Sequence, residues 1–219
     1  MHGIVYYMIL VVSIALVIYS IILHEIAHAY AAFRLGDPTA AMQGRLTLNP
    51  LKHIDPFNTV LLPMLTYYFG RFIFGGAKPV PINPYNFRNM RKGMMITGIA
   101  GPAVNLALVL VFAGLHRLAG MMSFLAPGFS VIFFLVGLWN MLLLAFNLIP
   151  VPPLDGSRVV SYFLPRHLQR AYDRLERFGL LLVILLIYTG VTKYVLWTGI
   201  DVFVHVAGDP VEEFFKFMQ

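Results

Sequence analysis

From Ile4 to Leu23 the chain runs IVYYMILVVSIALVIYSIIL, twenty residues without a charge. A stretch of that length fits one bilayer crossing as an α-helix, because in hydrocarbon every backbone polar group must find its partner within the helix itself. The run ends on His24-Glu25-Ile26-Ala27-His28. Ionisable groups at membrane depth are costly, so a functional explanation is sought first. A lone histidine on an apolar helix is ordinarily a satisfied core residue, but a His, Glu, His set at this spacing is not explained that way. On a helix, His24 and His28 are one turn apart and can bind one ion together. Glu25 lies about 100° round the helix, off the ligand face but within reach of a water activated by that ion. The arrangement is that of a zinc hydrolase set in a membrane.

Composition agrees with the membrane and narrows the metal chemistry. Of the 219 residues 59% are hydrophobic and 12% charged, which fits a polytopic membrane protein. The absence of cysteine excludes disulfides and thiolate metal sites, leaving His and carboxylate as ligands, the donor set of a catalytic zinc. Met1-His2-Gly3 lacks a basic region, and no small-residue cleavage site follows the first apolar run. That segment is therefore expected to be a retained helix and not a signal peptide.

Four further apolar stretches follow, at about Phe57–Gly75, Met94–Leu115, Phe129–Ile149 and Phe178–Trp197. Between the first two runs, the alternation around Met42, Arg45, Leu46, Thr47 and Leu48 could make a short strand or hairpin. Phe57–Gly75 is a poor plain span, with Pro63 near its middle, Arg71 near its end and Gly70, Gly75 and Gly76 beside them. If it dips in and returns on one side, every basic residue except Arg117, Lys193 and Lys216 lies on a single face, cytoplasmic by the positive-inside rule. The acidic tail with Asp201, Asp209, Glu212 and Glu213 then falls outside. The net charge of +6 is thus mostly topological, and no nucleic-acid partner is expected.

The expected fold is an all-α polytopic membrane protein of about four transmembrane helices plus a re-entrant segment, with room for a short β-hairpin after the first helix. One domain covers 1–219. It comprises a motif helix at 4–35, a hairpin, re-entrant and loop region at 36–92, helices at 93–116 and 129–149, a metal-ligand loop and polar helix at 150–177, a final helix at 178–198 and a tail at 199–219. Tyr67, Tyr68, Phe69, Phe72 and Phe74 read as an interface belt.

Two histidines leave a catalytic zinc one ligand short. His116 and His205 belong toward the other face, and His167, Asp173 and Glu176 belong to the polar helix. Asp37, in a Gly-Asp-Pro turn, reads as a capping residue. Asp155 stands out because it directly follows the fourth apolar stretch in Asn147-Leu-Ile-Pro-Val-Pro-Pro-Leu-Asp155-Gly156, where prolines stiffen the chain and Gly156 permits a sharp turn. His53 or Asp55 could serve instead if their loop folds back. Together with Asn49, those two could also line a polar path for water.

HEIAHAY followed by NLIPVPPLDG resembles the motif pair of the site-2 protease family of intramembrane zinc metalloproteases. GRLTLNPLKHIDP, AKPVPINP and Ala100-Gly101-Pro102-Ala103-Val104-Asn105 resemble the compact prokaryotic branch without PDZ or CBS domains. The resemblance implies a three-helix core around one zinc ion per chain, with His24, His28 and Asp155 as ligands and Glu25 as catalytic carboxylate. It makes Asn147, and with it Asn105, candidates for contacting substrate backbone or a developing oxyanion. It further implies peptide-bond hydrolysis in transmembrane segments of substrate proteins, at the cell membrane, and the charge-derived topology puts the active site toward the cytoplasm. The rival is a membrane metal transporter or metal-binding scaffold, which normally needs polar groups at several depths, where this chain offers chiefly Asn105, Asn140 and Asn147. Oligomeric state is not legible.

Overall fold

The computed structural model describes residues 2–70, 75–121 and 127–208. The expected features at Arg71, Phe72 and Phe74, and the acidic tail from Asp209 with Lys216, lie outside the described residues. Helix α1 covers His2–Arg34, and a single turn, α2, covers Thr39–Met42. A π-helical turn at Pro56–Leu61 runs into α3, Leu62–Gly70. Helices α4, Met90–Met121, and α5, Pro127–Asn147, follow. Then come α6, Asp155–Phe163, α7, Arg166–Asp173, α8, Gly179–Tyr188, and α9, Val191–Ala207.

Three helices are long and apolar enough to cross a membrane, namely Ile4–Arg34, Met90–Met121 and Gly128–Asn147. A fourth crossing is available if Arg166–Tyr188 and Val191–Ala207, bent by 70° at their junction, act as one span. The apolar stretch Phe178–Trp197, read from sequence as one final helix, is thus divided between α8 and α9. Gly190 at the break adopts a φ of +78°, and its carbonyl accepts from Tyr194 N–H to start the next helix.

The bundle is centred on α4, which packs on α1, α5, α6 and α9. Its buried stripe includes Gly93, Thr97, Gly101, Asn105, Val109 and Ala113, one residue every fourth position. Small residues at that interval let helix backbones approach closely where lipid provides no hydrophobic drive. At the far end, Val109 and Ala113 join Phe134, Phe203 and Ala207 in an apolar cluster that ties α9 back to the bundle. The exposed apolar side chains of α1, among them Ile4, Tyr7, Met8 and Val11, face outward as lipid contacts would.

Among the described residues there is no strand, so the hairpin expected after α1 is not formed. Chain reversal there uses two helix caps instead. Gly36, at φ +108°, ends α1, with Asp37 N–H bonded back to Ala32 and Gly36 N–H to Phe33. Gly44, at φ +65°, ends α2, with Arg45 N–H bonded to Ala40 and Gly44 N–H to Ala41. Both are Schellman caps, in which a left-handed glycine satisfies the last carbonyls. The alternation read as a strand is broken because Arg45 turns inward and is buried.

Hydrogen bonds hold the two ends of the next segment together. Lys78 N–H donates to His53 C=O at 2.7 Å, Gly76 N–H to Asn58 C=O at 3.0 Å, and Thr59 Oγ1 to Gly76 C=O at 2.9 Å. At about 1.5 Å per residue the helical part from Pro56 to Gly70 reaches roughly 22 Å, short of a ~30 Å hydrocarbon core. Single cysteines at Asn49, Tyr85 and His167 of this cysteine-free chain should therefore all react with an impermeant thiol reagent from the same side. Reaction of Tyr85→Cys from the opposite side would show that the intervening segment spans.

Candidate metal centre

His24 and His28 stand one turn apart on α1, their rings edge to face with centroids 4.6 Å apart. The third group comes from far along the chain. After α5 ends at Asn147, a run of turns through Pro150, Pro152 and Pro153 delivers Asp155 as the first residue of α6. Gly156 is needed there because a Cβ would fall on the Leu148 and Ile149 backbone. The two Nε2 atoms are 3.0 Å apart and lie 3.3 Å (His24) and 3.2 Å (His28) from Asp155 Oδ2. All three residues are buried.

This triangle has the dimensions of a tetrahedral zinc site, in which bonds of about 2.0–2.1 Å place neighbouring ligand atoms roughly 3.3 Å apart. The protonation pattern agrees. His28 Nδ1 lies 2.6 Å from the Thr97 carbonyl, which can only accept, so Nδ1 carries a proton and Nε2 is the nitrogen left to face the centre. Burial alone would raise the Asp155 carboxyl pKa, but the bonds to His24 and His28 and the charge of Arg158, 3.8 Å away, outweigh it. The carboxyl stays well below its usual range and ionised. Two imidazoles and a carboxylate converging this closely need a shared proton or a cation between them, and the donor set suits zinc.

Two glycines of α4 make the room. A Cβ on Gly101 would lie 2.5 Å from His24 Cε1, 2.6 Å from His24 Nε2, and against His28 Nε2. A Cβ on Gly98 would lie 2.8 Å from Arg158 Cβ. Glu25 sits beside the triangle and not in it, its Oε2 accepting from Val80 N–H at 3.1 Å. Together with the two histidines and Asp155 it lines a cavity of about 510 Å³. The loop 75–82 forms one wall, and Leu180 and Val183 of α8 contribute to another.

The remaining candidates separate by place. Asn147 lines the cavity, its Nδ2 donating to Leu143 C=O at 3.0 Å. Asn105 is fully buried in the helix interface one turn beyond Gly101 and is not among the residues that line the cavity. His53 and Asp55 are not part of the metal-capable group. His53 Nε2 bonds the Thr47 carbonyl at 2.8 Å, while Asp55 and Asn49 cap the turns that follow them. None of the three lines the cavity. Asp37 accepts from Thr39, Asn83 and Asn86, joining the end of α1 to the loop at 83–86. Burial alone would raise its pKa, yet these donors hold it below the usual range, so its contribution to stability is present above about pH 4 and is lost as the pH falls through the folded value.

Sequence reading missed Gly101, Thr97 and Val80 as parts of the site. Gly101 lay within a quoted motif, but its reason is a tertiary contact. The other two act through backbone atoms, which carry no residue signature.

A sequence profile of Peptidase family M50 matches residues 115–189, a stretch that contains Asp155 and stops short of the His24–His28 helix. Over 187 residues the chain is 38% identical to "Putative zinc metalloprotease YwhC" of Bacillus subtilis, covering 82% of this chain and 81% of that protein. The chain belongs to peptidase family M50. Two further relatives of this M50 chain are both named "Putative zinc metalloprotease Rip2". The protein of Mycolicibacterium smegmatis is 34% identical over 173 residues, or 78% of this chain and 64% of its own length. That of Mycobacterium tuberculosis is 32% identical over 169 residues, 76% and 62%. No solved structure matches.

Proposed function

We propose that this M50 chain is an intramembrane zinc metalloprotease that hydrolyses peptide bonds in transmembrane segments of other proteins, with its active site toward the cytoplasm. The observation that carries the reading is the convergence of His24, His28 and Asp155, with Glu25 beside them, on one cavity that α1 shares with the loop 75–82. His24, His28 and Asp155 hold one zinc ion. That ion, when bound, supplies Lewis acidity, polarising a scissile carbonyl and acidifying water. Glu25 accepts the proton of the attacking water and passes it to the leaving amine, general acid–base catalysis by one carboxylate. Asn147 lines the cavity, and that supports a role for it in donating to substrate backbone. The family membership and the zinc metalloprotease names of YwhC and Rip2 support the same chemistry.

A helical substrate must unwind before its peptide bond can reach the centre, losing roughly 1 kcal/mol or more for each backbone hydrogen bond broken in apolar surroundings. Substrate segments should therefore carry Gly, Pro, Asn or Ser near the cut, where helix propensity is already low. The test is the purified chain in liposomes with a tagged membrane-spanning substrate, its fragments mapped by mass. Expected is a cut inside the segment that a zinc chelator stops and added zinc restores, slowed when the helix breakers are changed to Leu. No chelator-sensitive cut on any spanning substrate would contradict the proposal. An all-leucine segment cut as fast as its parent would remove the unwinding step.

A further inference from the structure

Arg45 is 4% exposed and has no carboxylate within ion-pair distance among the described residues. A guanidinium buried without a counter-charge is costly unless its hydrogens are used well. Here the two terminal nitrogens donate to backbone carbonyls of two separate segments, while Nε is buried without a partner among the described residues. Nη1 donates to Lys52 at 2.6 Å, and Nη2 to Lys78 at 2.5 Å and, more weakly, to Pro79 at 3.5 Å. Lys78 N–H returns to His53 C=O at 2.7 Å, so the two segments are riveted on both sides of the guanidinium.

The residue after Pro79 is Val80, whose N–H holds Glu25 Oε2. Prolines flank it at 79 and 81, so Val80 carries the only backbone N–H of that tripeptide. Three residues further on, Asn83 N–H donates to Asp37 Oδ2 at 2.7 Å. Val80 thus hangs between two anchors, Arg45 before it and Asp37 after it, and both anchors come from the turns directly following α1. With one carboxylate oxygen held by an amide, the other is left free to take a proton.

We infer that Arg45 is a positioning residue for the reaction: it holds Lys78–Pro79 so that the Val80 amide orients the Glu25 carboxylate beside the His24–His28–Asp155 group. The inference rests on the proposed role of Glu25. It assigns a purpose to a buried charge that takes no part in the metal group.

The test uses the full chain in liposomes, with Arg45→Lys, Val80→Pro and the double variant. Zinc content, kcat and KM are measured for each, and amide exchange at Val80 is followed in the zinc-free wild type and Arg45→Lys. Lysine keeps the charge but lacks the fork that spans three carbonyls. Expected for Arg45→Lys is faster exchange at Val80, a loss of about tenfold in kcat, KM within about twofold, and unchanged zinc. Val80→Pro should show the same kcat loss, and the double variant should be no slower than Val80→Pro, because both changes remove one hydrogen bond. Wild-type kcat in either single variant, or losses that multiply, would overturn the inference. If Arg45→Lys fails to fold, Val80→Pro decides alone, and an unchanged kcat there overturns it. Glu25→Gln in the same assay separates the two levels. Activity surviving in it undoes the role of Glu25, whereas an inactive Glu25→Gln beside fully active Arg45→Lys and Val80→Pro undoes only the positioning by Arg45.

Discussion

Glu25→Gln should stop proteolysis and leave zinc in place. Glutamine keeps the length and shape of the side chain and can still accept from the Val80 N–H through its amide oxygen, so the cavity wall is preserved. It cannot take a proton at neutral pH. Since Glu25 stands outside the His24, His28 and Asp155 group, metal affinity should stay within a few-fold of the wild type. The expected loss in kcat is about 10²–10⁴-fold, the usual contribution of a positioned acid–base group. Steady-state cleavage and metal analysis of the same preparation check both halves. Turnover within a few-fold of wild type would show that another group moves the proton. Loss of zinc would show that Glu25 helps to hold the metal.

Gly101→Val should abolish zinc binding, although the residue ligates nothing. Gly101 is buried on α4 where both histidine rings press against it, and an added Cβ would meet ring atoms at 2.5 and 2.6 Å. Those rings sit on α1 and are held by the Thr97 carbonyl and by each other, so the clash is not relieved by a swinging side-chain end. Either α4 moves off α1 or the rings leave the metal geometry. Gly101→Ala should weaken zinc binding by about tenfold or more, even though alanine favours helix by ~1 kcal/mol over glycine. Gly114→Ala on the same helix is the control, because a Cβ there meets nothing within 4 Å. It should retain zinc and melt no lower than wild type. Full zinc content and turnover in Gly101→Ala would show that the α1–α4 contact is looser than described.

These two residues mark the boundary of what the sequence reveals. The position of Glu25 beside the cavity was legible because its spacing from His24 and His28 is local, written within five residues of one helix. Asp155 needed a ligand count and a motif, since its nearness to α1 depends on how α4 and α6 pack. Gly101 as a spacer was not legible. A small residue in an apolar stretch fits any close helix contact, and only the fold identifies the neighbour. Arg45 misled in a different way, because a cation between two apolar runs reads as a solvated topological charge, whereas its side chain turns inward to collect carbonyls. The missing hairpin follows from the same error, compounded by Gly44, which closes a helical turn where strand alternation had been read. The broken final helix was hidden by composition, since apolar residues continue on both sides of Gly190. The re-entrant reading of Phe57–Gly75 came from residues that do poorly in a spanning helix, and the ends of that segment are joined at His53 and Lys78.

The most direct measurement is zinc per chain, with X-ray absorption at the zinc edge, on the purified wild type and on Asp155→Ala. Expected for the wild type is one zinc per chain with only nitrogen and oxygen neighbours at about 2.0–2.1 Å, two of them imidazoles. Asp155→Ala should lose most of its zinc and its proteolytic activity together. An Asp155→Ala protein that kept one zinc per chain and full turnover would remove Asp155 from the centre and contradict the site.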